Sequence, residues 1–179
     1  MLTFVSELDV LVSTCRWLDD RGWTIDSISL APGAGLPRIG EQKEVIRQEF
    51  EAAHIAFDAN TLFRRRGADI NARSGEIVWK FECKGMSDAQ PQTHRTSFDR
   101  AVASVVSYYD NPLTRLGLAV ANDYLWQYNY ADRLPLALRK AIGLWVFLVL
   151  EGGATHMNRL VSFLTPVHWT RRLGNVASQ

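Results

Sequence analysis

Gly67-Ala-Asp-Ile-Asn-Ala-Arg-Ser-Gly-Glu-Ile-Val-Trp-Lys-Phe-Glu-Cys-Lys-Gly85 is the stretch whose periodicity decides how this chain reads. From Ile77 to Cys83 the odd positions are Ile77, Trp79, Phe81 and Cys83. The even ones are Val78, Lys80 and Glu82, with Lys84 next in phase. A period of two marks a strand with one apolar face, so Glu82 and Lys84 point the same way. Arg73-Ser74-Gly75-Glu76 supplies turn residues, and the short run from Ala68 to Ala72 folds back as the antiparallel partner. Asp69 then pairs across from roughly where Glu82 sits.

Two carboxylates and an ammonium that converge suit metal-assisted cleavage of a phosphodiester. A hard cation such as Mg²⁺ takes oxygen ligands, commonly one or two carboxylates plus waters and substrate phosphate, and Asp69 and Glu82 offer such a pair. Lys84 beside them is placed to orient or deprotonate the attacking water, or to offset the charge that builds on the phosphate. A Glu-x-Lys pair alone is common on strand surfaces, where the charges are simply solvated. The added weight comes from the acid, the turn, the strand phase and the following helix agreeing with one another.

Asp69 followed by Glu82-Cys83-Lys84 on the next strand resembles the PD-(D/E)xK nuclease superfamily, the restriction-endonuclease-like proteins, and its Glu-Cys-Lys form is similar to Holliday junction resolvases and Mrr-like endonucleases. The order of elements is also similar. A helix is expected from about Thr3 to Arg21, a strand near Trp23 to Leu30, then the hairpin, a helix from about Ser97 to Tyr109, and an apolar strand from Leu116 to Ala121. Ala68 stands where the motif would carry proline, and the piece from Ala31 to Arg66 is an insertion relative to the small resolvases. The resemblance implies a three-layer α/β/α domain around a central mixed sheet, to which this sequence adds an inserted helix and a C-terminal antiparallel hairpin. It implies Mg²⁺ or Mn²⁺ as cofactor, the Cys83 carbonyl as a further ligand, and an accessory acid on the first helix, for which Glu7 is the candidate. The plainer reading of Glu7 is a surface acid stabilised by the helix N-terminus. The resemblance also implies a polar residue after the Glu-x-Lys strand, for which Gln90 or Gln92 stands nearest.

Composition sets the outer limits. With 179 residues, 47% of them hydrophobic, the chain is long enough for one domain with a sizeable core and short for two. The expected division is a core over about 3–121, an elaboration over about 122–166 and a tail over 167–179. A formal charge of +1 excludes a global basic field, so any nucleic-acid face must be local. Arg64, Arg65 and Arg66 before the hairpin, and Arg95 and Arg100 around the later helix, flank the expected cation site and are the candidates for phosphate contacts. Each such cluster also reads as ordinary solvated surface. Cys15 and Cys83 fall on apolar stripes as core thiols, and two cysteines make no disulfide framework or CxxC knuckle, which suits a reducing cytoplasm. Met1 to Glu7 lacks a basic stretch leading into an apolar one, so no secretion signal is expected. The longest apolar run, Ala141 to Leu150, is too short to span a bilayer.

Phe4, Leu8, Leu11, Cys15 and Leu18 recur at helical spacing, and Gly22 stands where that helix stops. Glu41 to Ala53 carries Ile46, Phe50 and Ala53 on one side, while Glu44, Glu49 and Glu51 on the other offer an acid in place of Glu7. Phe57 to Phe63 reads as either strand or loop. Thr96-Ser97-Phe98-Asp99 resembles a helix cap, with Phe98, Ala101, Val102, Val105 and Tyr109 facing inward. Arg95 and Arg100 would then lie near the opening turn, where free N–H groups and basic side chains suit a phosphate. Tyr124, Trp126, Tyr128 and Tyr130 alternate in a segment that either stacks unpaired bases or buries its rings in a core or dimer contact. Asp132 to Ile142 reads as a short helix with Pro135 in its first turn, and Leu144 to Leu150 with Leu160 to Leu164 as a hairpin. His156 and His168 lack the spacing of a metal motif.

The expectation is therefore an α/β, metal-dependent nuclease acting on DNA. Asp69, Glu82 and Lys84 carry the reaction, at one edge of a mixed sheet and with raised carboxylate pKa values. The alternative is a catalytically silent nucleic-acid-binding or assembly module. A membrane partner is not expected, and a homodimer is left open.

Overall fold

The computed structural model describes residues 5–30, 38–64, 66–86, 91–122, 134–149 and 161–164. Local signals build its first elements. Ser6 caps helix α1 (Glu7–Asp19): its hydroxyl accepts from the Asp9 N–H, and the Asp9 carboxylate accepts from the Ser6 N–H. These reciprocal bonds satisfy backbone donors that an uncapped helix start would strand. Val10, Leu11, Cys15 and Leu18 form the buried stripe. The helix stops at Asp19 rather than Arg21, and Gly22 turns the chain at a φ of 73°, a left-handed angle that glycine adopts without strain. Phe4 lies outside the described residues.

Strand β1 (Thr24–Ser29), helix α2 (Ile39–Ala52) and a two-residue strand β2 (Phe63–Arg64) follow. The ambiguous stretch from Phe57 thus resolves into a turn that ends in β2, parallel to β1. The hairpin is β3 (Ile70–Ser74) and β4 (Ile77–Lys84). They pair antiparallel with Ile70 opposite Phe81 and Ser74 opposite Ile77, so the turn tightens to Gly75-Glu76, with Gly75 at a φ of 60°.

Helix α3 runs Pro91–Ser107, starting six residues before Ser97. Proline lacks the N–H that the first helical position leaves unpaired, so Pro91 opens the helix without loss. Thr96, expected as part of a cap, is internal: its hydroxyl donates to the Gln92 carbonyl. Arg95 and Arg100 consequently lie exposed along the helix and not at its opening turn. The inward stripe also shifts, since Tyr109 is 52% exposed and Tyr108 is the partly buried ring.

Strand β5 (Thr114–Ala121), helix α4 (Leu136–Ala141) and strands β6 (Leu144–Val149) and β7 (Val161–Leu164) complete the described chain. Pro135 sits at the N-cap of α4, one position outside its first turn. β6 and β7 pair antiparallel as a terminal hairpin. The segment carrying Tyr124, Trp126, Tyr128 and Tyr130, and both His156 and His168, lie outside the described residues.

Among the described residues the architecture is α/β: a seven-stranded mixed sheet in the order β2-β1-β3-β4-β5-β6-β7 with four helices. β4 is its middle strand, antiparallel to β3 and parallel to β5. Its odd side chains enter an aromatic core in which Trp79 stacks on Phe81, both meet Phe147, and Trp17 of α1 packs edge-on against Phe147. α3 packs on β4 and β5 and reaches the even side chains of β4 through Tyr108. The odd positions Trp79, Phe81 and Cys83 form the expected apolar face, and the even face is partly covered as well. Asp69, Glu82 and Lys84 accordingly belong to the centre of the sheet, not to an edge strand. Cys15 and Cys83 are free, buried thiols. Among the described residues, no helix is long and apolar enough to cross a membrane.

Candidate active site

The hairpin register does the first part of the assembly. With Ile70 opposite Phe81, Asp69 stands one residue before β3 and across from Glu82. Its backbone carbonyl accepts from the Ser29 N–H of β1, and its Oδ2 accepts from the Cys83 N–H at 2.7 Å. Cys83 therefore enters the site through its amide, while its thiol is buried in the core. Two residues along β4 from Glu82, and on the same face, Lys84 places Nζ 3.3 Å from Glu82 Oε1 and 4.0 Å from Asp69 Oδ2.

The second part depends on close packing at Gly85. A Cβ there would lie 2.1 Å from the Glu7 backbone nitrogen and 2.2 Å from the Ser6 carbonyl carbon, so only glycine admits the start of α1 to the end of β4. The Met86 N–H donates to the Val5 carbonyl and closes the join. Glu7 is thereby delivered to the cluster, its Oε2 3.4 Å from Lys84 Nζ. Of the candidate accessory acids, Glu7 alone is brought in. Glu49 is ion-paired with Arg16 of α1, and Glu44 contacts Arg47 and Gln48 of its own helix. α2 instead contributes Gln42, which lines a pocket of about 20 Å³ with Glu7, Leu8, Leu11, Ser29, Leu30 and Asp69. That is room for roughly one water.

Tyr108 is the residue that the sequence reading missed. Its hydroxyl donates to Glu82 Oε2 at 2.8 Å. Phe98, Ala101 and Val105 step by three and four, so a further step of three reaches Tyr108, and that phase is the signal that could have found it. Ser29 and Gln42 carried no comparable signal.

The electrostatics follow from three acids around one base. Burial, reinforced by the nearby Glu82 carboxylate, pushes Asp69 up to about 8. Burial likewise raises Glu7, in spite of Lys84. For Lys84 burial alone would lower the pKa, but the charges of Asp69, Glu7 and Glu82 outweigh it and hold the ammonium above its usual range. Burial and the hydrogen bond to Glu82 raise Tyr108. Lys84 is thus a persistent cation at neutral pH, suited to orienting a water or offsetting phosphate charge and unsuited to accepting a proton.

Among the described residues no group of three or more His, Cys, Asp or Glu side chains is arranged to hold a metal ion. A pair suffices for a cation that keeps several waters, as Mg²⁺ does. Asp69 and Glu82 fit that role. Glu82 is buried and Asp69 half-buried, both reach Lys84 within 4.0 Å, one Asp69 oxygen is left without a hydrogen bond among the described residues, and one ammonium is set against three acids.

Arg64 at the end of β2 and Arg66 just after it are exposed, Arg95 and Arg100 are exposed on α3, and none of the four forms an ion pair among the described residues. Arg65 and Gln90 lie outside the described residues, and Gln92 is exposed on the first turn of α3. Comparison of the chain with family models, curated proteins and solved structures finds no match.

Proposed function

We propose that this protein is a metal-dependent nuclease that hydrolyses phosphodiester bonds, with DNA as its substrate. The observation that carries the reading is the convergence of Asp69, Glu82 and Lys84 at one end of the central strand, with Glu7 delivered to the same point. Asp69 and Glu82 would hold Mg²⁺ or Mn²⁺, with the Cys83 carbonyl as a further ligand. The cation would supply Lewis-acid polarisation of the scissile phosphate and acidify a water. In hydrolysis water adds to phosphorus and gives up a proton to solvent, the bridging P–O bond breaks with its leaving oxygen taking a proton from solvent, and negative charge gathers on the phosphate oxygens. Lys84, fixed as an ammonium, opposes that charge and orients the water by donating to it. Glu82 is kept in place by Tyr108, and Asp69 by the Cys83 amide. Arg64 and Arg66, with Arg95 and Arg100, supply exposed cations for neighbouring phosphates.

One observation favours a second reading, a silent nucleic-acid-binding or assembly module. Lys84 lies within 4.0 Å of all three carboxylates, so the cluster is partly neutralised from within. Incubation with duplex, nicked, single-stranded and branched DNA and with RNA, in Mg²⁺, Mn²⁺ or chelator, separates the two. The nuclease reading expects cation-dependent cleavage that falls at least about a hundredfold in each of Asp69→Asn, Glu82→Gln and Lys84→Met. Cleavage that persists in chelator, or in any two of these variants, overturns it. Binding with no cleavage under any condition establishes the silent module.

A further inference from the structure

Glu82 has its two carboxylate oxygens assigned to different partners. Oε2 accepts from the Tyr108 hydroxyl at 2.8 Å, and Oε1 faces Lys84 Nζ at 3.3 Å. The hydroxyl is itself held in position. Lys80, two residues before Glu82 on the same face of β4, donates from Nζ to the Tyr108 carbonyl at 3.2 Å and pairs with Asp110 at 2.5 Å. Asp110 in turn accepts from the Thr114 hydroxyl at the start of β5. The Gly67 carbonyl, 3.3 Å from the Tyr108 hydroxyl, lies just ahead of Asp69. The end of α3 is thus bolted to the strand that carries Glu82 and set against the segment that carries Asp69.

We propose that Tyr108 is a positioning residue that ties up Glu82 Oε2, leaving Oε1 on the Lys84 side as the single oxygen Glu82 presents to a cation, and so biases the site toward small octahedral cations and against Ca²⁺. The inference rests on the reading of Asp69 and Glu82 as cation ligands. The physical reason is the difference between the ions. Mg²⁺ demands near-octahedral geometry and is content with single carboxylate oxygens and waters, whereas Ca²⁺ gains from carboxylates that offer both oxygens. A Glu82 whose Oε2 is held by a hydroxyl cannot present both without breaking that bond. Partners that orient ligands in this way commonly control metal affinity, and their loss weakens binding by about 10- to 100-fold.

Cation affinity, measured by calorimetry on the full chain without nucleic acid, tests this independently of catalysis. Tyr108→Phe removes the hydroxyl and keeps the ring. Mg²⁺ and Mn²⁺ affinity should fall about tenfold or more, while Ca²⁺ affinity holds or rises, so the preference moves toward Ca²⁺. Lys80→Met, which frees the Tyr108 carbonyl without touching the hydroxyl, should shift the preference in the same direction by less. Should Tyr108→Phe fail to fold, as judged by thermal unfolding, Lys80→Met carries the test alone. Tyr109→Phe, on an exposed neighbour, should change neither affinity. If wild type binds the cations and the variants weaken all of them equally, or leave them unchanged, the positioning role is overturned and the functional reading stands. If wild type binds no divalent cation, the functional reading falls and takes this inference with it.

Discussion

Replacing Asp69 by asparagine should stabilise the folded chain at neutral and alkaline pH while removing activity. Folded Asp69 holds its proton up to about pH 8, whereas the ordinary carboxylate releases it near 3.8. Across that window the folded state binds one proton more than the unfolded state, so this group's contribution falls as pH rises and levels off above about 8. The distance from 3.8 to about 8, at ~1.36 kcal/mol per pH unit, sets a ceiling of roughly 5–6 kcal/mol. When Asp69 ionises, Lys84 and solvent can move toward it and relax roughly half of that, leaving about 2–3 kcal/mol. Asparagine keeps an oxygen for the Cys83 N–H and carries no charge. At about 2–4 °C per kcal/mol for a chain of this size, Asp69→Asn should melt about 5–10 °C above wild type at pH 8.5 in chelator. The gap should close toward pH 4. Thermal unfolding of both proteins across this range is the assay. Parallel curves, or a variant less stable than wild type at pH 8.5, would refute the buried-carboxylate argument.

Cation binding must displace the Asp69 proton, so Mg²⁺ at ten times its Kd should stabilise wild type by about 1.4 kcal/mol at pH 8.5, and clearly less at pH 6. Equal stabilisation at both pH values, read from chemical unfolding, would contradict this. Gly85→Ala forces a Cβ into the start of α1 and should destabilise by about 1–3 kcal/mol in urea unfolding. The same change should separate Glu7 from Lys84, which a crystal structure of the variant would show. If Arg64 and Arg66 each neutralise one phosphate, Arg64→Gln with Arg66→Gln should reduce the slope of log affinity against log salt by about 1.8. Fluorescence anisotropy on labelled DNA measures the slope, and an unchanged value would remove both residues from the interface.

The hairpin was legible because its signals are local. Alternation over eight residues, together with a glycine turn, is enough to set which side chains share a face and to bring Asp69 opposite Glu82. The stripe of α1 and the apolar character of β5 and β6 were legible for the same reason, since periodicity reports which face of an element is buried. The start of α3 was misread because Thr96-Ser97-Phe98-Asp99 has cap chemistry, while Pro91, already suited to a first helical turn, lay six residues upstream. The one-residue error at Tyr109 follows from a stripe about 100° wide, to whose edge neighbouring residues can both be assigned.

From the amino-acid order alone came the α/β class, the hairpin and the three side chains on it, all set by contacts within about fifteen residues. Only the tertiary structure decided that Glu7 joins them from seventy-seven residues away through the gap left by Gly85, and that Tyr108 engages Glu82. It alone took Glu82 and much of Asp69 out of water, and that desolvation, with the Glu82 charge, drives Asp69 to about 8. Local periodicity says which way a side chain points. What it meets there depends on how distant elements pack, and desolvation and charge coupling arise only from that packing.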